Sequence, residues 1–527
     1  MIVRQLFFIF SLAAVLMTFA LAKFWPHAYS LFWIILPLIA LGLYDMWQRQ
    51  HTILRLYPVI GHLRYFFETI RPEIQQYFVE SDTNGQPVSR EFRALVYQRA
   101  KGQRDTRPFG TVFDVYRNGY EWVNHSLAPK PVQKTSPRIR FGGKDCSLPY
   151  EASPLNISAM SFGALSQNAI MALNKGAKTG GFAHNTGEGG ISPYHLRYGG
   201  DLVWQIGTGY FGCRNPRGNF DERLFAEQAR QDVVKMIEIK LSQGAKPGHG
   251  GILPAVKLTR EIAAIRHVPM GQDVVSPPAH TTFSTPLGLL QFVARLRELS
   301  GGKPVGFKLC IGNKVEFLAI CKAMLETGIT ADFITVDGAE GGTGAAPVEL
   351  ANSVGTPLRD GLVFVHNALL GSGLRSSIRI IASGKAISAF HVLRLLALGA
   401  DTVNVARAMM FALGCLQSRH CNQDTCPTGV ATQNPARYQA LDVDLKAIRV
   451  ANYHASMIEN LMELVAAAGL TGLDELQPGH IHRRVDGTET RTYAELYPTI
   501  ADRCLLSDND LPEGWRNDWE QALSSTW

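Results

Sequence analysis

The 527-residue chain is 46% hydrophobic and 18% charged, enough apolar material for a large folded core and too much for a disordered polymer. Its formal net charge of +7 is not gathered into a long basic block, and no zinc-finger spacing occurs, so nucleic acid is not expected as a partner. Eight cysteines, three of them crowded into positions 415–426, point to ligands in a reducing compartment rather than to a disulfide-stapled secreted domain.

In chain order, residues 5–22 and 24–44 contain no Asp, Glu, Lys or Arg, and each run approaches the roughly 20 residues that span a bilayer as a helix. Residues 1–48 therefore read as two transmembrane helices. Trp47, Arg49, Arg55 and Arg64 follow the second run, which favours a cytoplasmic membrane anchor with the catalytic body on the cytoplasmic side. A secretory signal ending at Ala20-Leu21-Ala22 after Arg4 is the alternative, and a buried helical hairpin is another. The mild basic excess suits an anionic membrane surface or an acidic redox partner, and equally plain solubility.

Residues 49–150 form an extension of unassigned role, with 90–114 polar and loop-like. From 151 to 440 the texture changes to short apolar runs, each followed by a helical pattern. Runs at 155–158, 181–185, 237–241, 273–276, 305–309, 333–336, 378–382 and 402–405 number eight, as in a closed parallel (β/α)8 TIM barrel of α/β class. An open doubly wound sheet is the competing architecture, but no Gly-x-Gly-x-x-Gly turn opens a helix after the first run. Residues 441–527 read as a helical and polar tail.

In such a barrel, phosphate often sits on the loops after strands seven and eight. Ser383-Gly384-Lys385 and Ala406-Arg407-Ala408 follow those runs, and together they offer amides, a lysine and an arginine to a phosphate dianion. Cys415, Cys421 and Cys426 then supply three thiolates on one short loop, enough to wrap a three-iron cluster. Zinc with His420 as fourth ligand is the rival, although adjacent His420 and Cys421 fit two corners of a tetrahedron poorly.

Five stretches carry a resemblance: Ile157-Ser-Ala-Met-Ser-Phe-Gly-Ala-Leu-Ser166, Asn185-Thr-Gly-Glu-Gly-Gly190, Glu238-Ile-Lys-Leu-Ser-Gln-Gly-Ala-Lys-Pro-Gly248, Gly341-Gly-Thr-Gly-Ala-Ala-Pro347, and Cys415 through Cys426 into Pro427-Thr-Gly-Val-Ala-Thr-Gln433. In this order the chain resembles the flavin-binding synthase domain of glutamate synthases over roughly half its length. The resemblance implies FMN, a [3Fe-4S] cluster held by Cys415, Cys421 and Cys426, and reductive amination of 2-oxoglutarate. By it, Ser158, Ala159, Met160 and Ser161 run along the flavin ring and Lys308 stands near it. Gly342 and Gly344 belong to a glycine loop of the cofactor site, and Ser383, Gly384, Lys385 and Arg407 hold the phosphate. Glu188, Gln243, Lys246 and Arg266 match the acid and the oxo-acid-binding groups. A dicarboxylate needs such cations, and a lysine stabilises charge developing on a reduced flavin.

Departures narrow the expectation. Neither an amidotransferase nucleophile nor a glycine-repeat carboxyl domain is visible, so the amine or ammonia is expected from elsewhere. Without a dinucleotide fingerprint, electrons are expected from an external donor, a ferredoxin or a reductase subunit. His249 and Ile252 stand where the matched family carries an acid and a glutamine, and an apolar Ile252 cannot donate to a substrate carboxylate. An N-alkylglutamate synthase, or another amine-handling flavin dehydrogenase, is therefore the alternative enzyme. A non-catalytic membrane electron-transfer subunit is the alternative from another class.

Overall fold

The computed structural model describes residues 2–103, 106–133 and 136–527. They divide into two compact units that meet in sequence at Arg90 and Glu91.

In the first unit, helices Ile2–Ala22 and Phe32–Trp47 are joined by the 3-10 turn Pro26–Leu31. The segments Val3–Ala22 and Pro26–Trp47 are long and apolar enough to cross a membrane. Their apolar side chains face outward, with Phe10 67% and Trp33 84% exposed. The hydroxyl of Thr18 is satisfied within its own helix by the carbonyl of Ala14 at 2.8 Å. Beyond them Asp45 is fully buried, accepting the backbone N–H of Val59 at 2.8 Å and pairing with His62 at 2.9 Å. That pairing ties the end of the second helix to the start of helix Gly61–Ile74.

The second unit is built on a closed barrel of eight parallel strands. In chain order they are β1 (Leu155–Ile157), β2 (His184–Asn185), β3 (Leu202–Ile206), β4 (Val234–Lys240), β5 (Val305–Leu309), β6 (Phe333–Asp337), β7 (Arg379–Ser383) and β8 (Thr402–Val405). Each pairs with its sequence neighbour, and β8 closes on β1 with Val403 opposite Leu155. The strands β3, β5, β6 and β8 are buried along their whole length, as expected when helices cover the outside of a parallel sheet.

The expected fold holds, but two of its eight strands need correction. Residues 273–276 do not enter the barrel: Val274–Val275 pairs antiparallel with Ile252–Leu253 in a small hairpin. The missing barrel strand is β3, between the second and third expected runs. Gln205 interrupts its apolar pattern, yet it is buried because its amide serves a carboxylate inside the barrel.

Residues 90–114 also differ from expectation, since Arg90–Ala100 is a helix. Val96 and Ala100 supply its buried stripe, and Arg93 and Arg99 are buried despite their charge. Arg99 keeps its guanidinium satisfied by donating to Asn460 Oδ1 at 2.9 Å. The hairpin Ile139–Phe141 with Tyr150–Ala152 plugs the barrel floor, packing Phe141 and Tyr150 with Ala183, Val203, Met236, Phe333 and Ile381.

The 25-residue helix Val443–Ala467 lies along the helix Gln167–Gly180. A Cβ at Gly176 would come within 2.8 Å of Val450 and the Ala447 carbonyl, so the two helices approach closely only with glycine there. The segment after 440 is thus partly barrel wall.

Candidate functional site

Alternation along β4 turns Glu238 and Lys240 to the same inner face. Deep in the barrel, Glu238 accepts from Asn185 Nδ2 at 2.8 Å, Gln205 Nε2 at 2.7 Å and Thr335 Oγ1 at 2.6 Å. Three strands therefore converge on one carboxylate. At the strand end Lys240 Nζ donates to Glu188 Oε1 at 2.8 Å and to Gln243 Oε1 at 2.6 Å. Burial works against the charge of Glu188, but Lys240, with Arg266 and Lys246 beyond, holds its carboxyl below the usual range.

Two further cations frame this group. Lys246 is buried and donates to the carbonyl of Ala345 at 2.9 Å. Burial and the like charge of Lys240 push it down to about 8, against the pull of Glu188. Arg266 closes helix Arg260–Arg266, lies over the Phe211 ring at 5.1 Å and donates to the Phe162 carbonyl at 3.2 Å. Burial lowers it to about 10, with Glu188 opposing. Among the described residues, Arg266 Nε and Gln243 Nε2 are buried donors without an acceptor. Donors left open beside a charged cleft fit a ligand rich in oxygen.

Across the mouth Lys308, on β5, pairs with Asp337 at 3.2 Å, and Asp337 also accepts the backbone N–H of Gly244 at 3.0 Å. Burial opposes the charge of Lys308, but Asp337 and Glu238 outweigh it and raise the lysine above its ordinary value. Beyond β1, residues 158–161 cross the mouth: Ser158 N–H bonds to the Val405 carbonyl at 3.0 Å and Met160 N–H to the Asn185 carbonyl at 3.3 Å. Ala159 and Ser161 are half-buried. Gly187, at φ 64°, lets its turn pass over this segment, because a Cβ would stand 2.9 Å from Ser161 N.

The corner after β7 and β8 is different. Ser383 Oγ lies 3.3 Å from Ser158 Oγ, and Gly384 precedes Lys385 in a half-buried turn. Arg407 opens helix Arg407–Leu413 and donates to the Glu340 carbonyl at 2.9 Å. Burial and neighbouring Arg407 lower Lys385, and burial lowers Arg407. Among the described residues no hydrogen bond or ion pair engages Lys385. Arg407 depressing Lys385 beside a serine-glycine turn, with the carboxylates of Glu340 and Asp337 pulling the other way, still leaves two cations free of a direct ion pair among the described residues, which fits a phosphate dianion.

Next to this corner is the cysteine loop. Gly342 lies against the Arg407 side chain, and Gly344 faces Cys421. Burial pushes the Cys415 thiol up to about 12 and also raises Cys421, and the thiols of Cys421 and Cys426 add to the shift at Cys415. Cys426 behaves oppositely: burial disfavours its thiolate, but the amides of Ala431, Thr428 and Val430 and the Thr428 hydroxyl outweigh it. Such amide donors are what a thiolate ligand needs. Among the described residues no three His, Cys, Asp or Glu side chains form a cage for a single ion. Thiolates bound to different irons of one cluster stand farther apart than ligands of a single ion.

Every residue expected at the site therefore lies at the barrel mouth or on its adjoining loops. Lys240, Asp337 and Glu238 join these residues at the mouth, beyond those the sequence reading names. Lys240 and Glu238 sit inside a quoted motif, and the period of two along the strand could have found them.

A family described as a conserved region in glutamate synthase matches residues 141–471. The chain is 38% identical over 486 residues to the glutamate synthase large subunit-like protein YerD of Bacillus subtilis, covering 84% of this chain and 92% of that one. The chain belongs to the glutamate synthase family. That makes it an oxidoreductase of glutamate synthase type. An archaeal glutamate synthase of Methanocaldococcus jannaschii, named for NADPH, is 35% identical over 359 residues, 68% of this chain and 66% of the relative. The NADPH glutamate synthase large chain of Bacillus subtilis is 34% identical over 327 residues, which are only 20% of its length. Among solved structures, a double mutant of flavocytochrome b2 with pyruvate bound aligns at TM-score 0.41 and 12% identity, covering 79% of this chain and 85% of that one.

Proposed function

We propose that this glutamate synthase family member binds FMN at the barrel mouth and reductively aminates a 2-oxo acid, with electrons entering through an iron-sulfur cluster on Cys415, Cys421 and Cys426. The observation that carries the reading is the pairing of two unlike corners at one mouth: a cationic turn at Lys385 and Arg407 with no direct ion pair among the described residues, and a largely buried group of Glu188, Lys240, Gln243, Lys246 and Arg266.

The Ser383–Lys385 turn and Arg407 fit the phosphate, and residues 158–161 with Lys308 fit the ring. When bound, FMN supplies two electrons for reduction of an imine. The residues of this chain do the rest. Lys246 and Arg266 orient the oxo acid by charge-assisted hydrogen bonds to its carboxylates. Glu188, kept ionised by Lys240, accepts the proton that an ammonium must lose before its nitrogen attacks the carbonyl. Lys240 holds both Glu188 and Gln243 in place for that transfer.

For the amine, ammonia is the first reading and an alkylamine the second. Ile252 favours the second: it is half-buried in the Ile252–Leu253 hairpin, an apolar side chain near an otherwise polar cleft. The two outward-facing apolar helices support a membrane anchor, with a ferredoxin or reductase subunit as donor to the cytoplasmic body.

The test is anaerobic purification of the full chain, assay of bound FMN and iron, and turnover of 2-oxoglutarate with a low-potential dye as donor. Glutamate from ammonia, or N-methylglutamate from methylamine, is the expected product. FMN-loaded protein that consumes neither amine sinks the proposal.

A further inference from the structure

The Lys257 side chain ends inside the protein, 2% exposed, where no substrate or solvent reaches it. It closes the 3-10 turn Ala255–Lys257, directly after the small hairpin. Its Nζ donates to three backbone carbonyls: Ala164 at 2.5 Å, Cys421 at 3.2 Å and Ala431 at 3.2 Å. A neutral amine has only two N–H bonds, so three acceptors call for the ammonium form. Its neighbours include Asp424 and the thiols of Cys421 and Cys426. A buried cation needs a reason to be there, because its desolvation costs several kcal/mol that backbone dipoles only partly offset.

The three carbonyls come from separate segments. Ala164 follows the 158–161 stretch after β1, Cys421 lies within the cysteine loop, and Ala431 lies just past its end. A single ammonium thus ties the loop down on both flanks of Cys426 and fastens it to the segment beyond β1. A second, uncharged tie reaches the same loop, where the Tyr97 hydroxyl donates to the Cys415 carbonyl at 2.6 Å.

We propose that Lys257 is a positioning residue for the iron-sulfur cluster, holding the cysteine loop in its binding shape and placing one full positive charge beside the thiolates. This rests on the reading that the three cysteines carry a cluster. One-electron reduction adds one negative charge to a group already anionic through its thiolates. A buried ammonium beside it stabilises that added electron, so it raises the reduction potential. Its hydrogen bonds preserve the loop, so it also slows loss of iron.

The experiment uses the full chain, reconstituted anaerobically with iron and sulfide, in wild type, Lys257→Met, Lys257→Arg and Tyr97→Phe. Iron per chain, the paramagnetic resonance spectrum and the midpoint potential from a dye-mediated titration are measured. Thermal melts monitor folding. Lys257→Met is expected to bind iron roughly 10–100-fold more weakly and to show a more negative potential. Lys257→Arg keeps the charge and is expected near the wild-type potential, although its iron is lost faster. Tyr97→Phe removes a tie without removing charge and leaves the potential where it was. A folded Lys257→Met protein with wild-type iron retention and potential overturns the proposal, as does an equal shift in all three variants. If Lys257→Met does not fold, Lys257→Gln takes its place, and a folded Lys257→Gln protein with wild-type iron retention and potential overturns the proposal. A wild type that takes up no cluster defeats the underlying reading and this one with it.

Discussion

Two corners of the barrel mouth handle charge in opposite ways. Around β2 and β4 the one acid is paired directly: Lys240 donates short hydrogen bonds to both Glu188 and Gln243, and Lys246 and Arg266 add further positive charge. Around β7 and β8 Lys385 and Arg407 have no direct ion pair among the described residues: Arg407 donates to a backbone carbonyl, and Glu340 and Asp337 act on the two cations only through space. The first corner holds its carboxylate in a direct ion pair and keeps donors open at Arg266 and Gln243. The second gains most when an anion arrives.

Breaking the compensated corner produces the largest expected effect. Lys240→Met leaves Glu188 buried without its main partner and should cost about 3–5 kcal/mol in urea unfolding. Adding Glu188→Gln should recover much of that loss, and a Lys240→Met protein as stable as wild type would show that the pair is not a compensated unit. Arg407→Met should behave differently. Ligand-free stability should change by no more than about 1 kcal/mol, while FMN affinity, read by flavin fluorescence, falls by about 1.5–3 kcal/mol for a lost charged hydrogen bond. If ligand-free Arg407→Met is as unstable as Lys240→Met, the two corners are not different in kind.

Acidity and alkalinity sharpen the comparison further. The depressed folded pKa of Glu188 gives stability that is present above the ordinary carboxyl range and is lost as pH falls through that lowered value. Lys246 is lowered as well, to about 8, but there the cause is burial, which disfavours its charged form. Between there and the ordinary lysine range the unfolded chain binds more protons, so stability rises with pH. Affinity for 2-oxoglutarate, measured calorimetrically, should in contrast be level below about pH 8 and weaken above it as Lys246 loses its charge. An affinity that is flat through that region removes Lys246 from the oxo-acid site. The smallest effect is expected for Ile252→Gln: a gain of about 0.5–1.5 kcal/mol in oxo-acid binding from one new hydrogen bond, visible as a shift in preference from alkylamine toward ammonia.

Much of this was legible in order along the chain, with instructive failures. The eight apolar runs match the eight barrel strands in number, although 273–276 lies outside the barrel and 202–206 lies in it. Both are short apolar runs, and only their hydrogen-bond partners separate a barrel strand from a two-residue hairpin. Gln205 hid a real strand because a buried amide looks polar until its acceptor, Glu238, is brought from another strand. Arg99 likewise hides the helix Arg90–Ala100, since its charge reads as exposure when the partner, Asn460, is hundreds of residues away.

The sequence by itself determined the repeat of strand and helix, the cysteine spacing, the glycine loops and the apolar amino-terminal runs, because each is a local pattern of residue types. Only the tertiary structure decided which charges compensate one another. Glu188 meets Lys240 across a gap of 52 residues, and Lys257 gathers carbonyls from residues 164, 421 and 431. Those meetings depend on barrel closure, which brings the ends of distant strands to one rim and removes the water that would otherwise screen their charges.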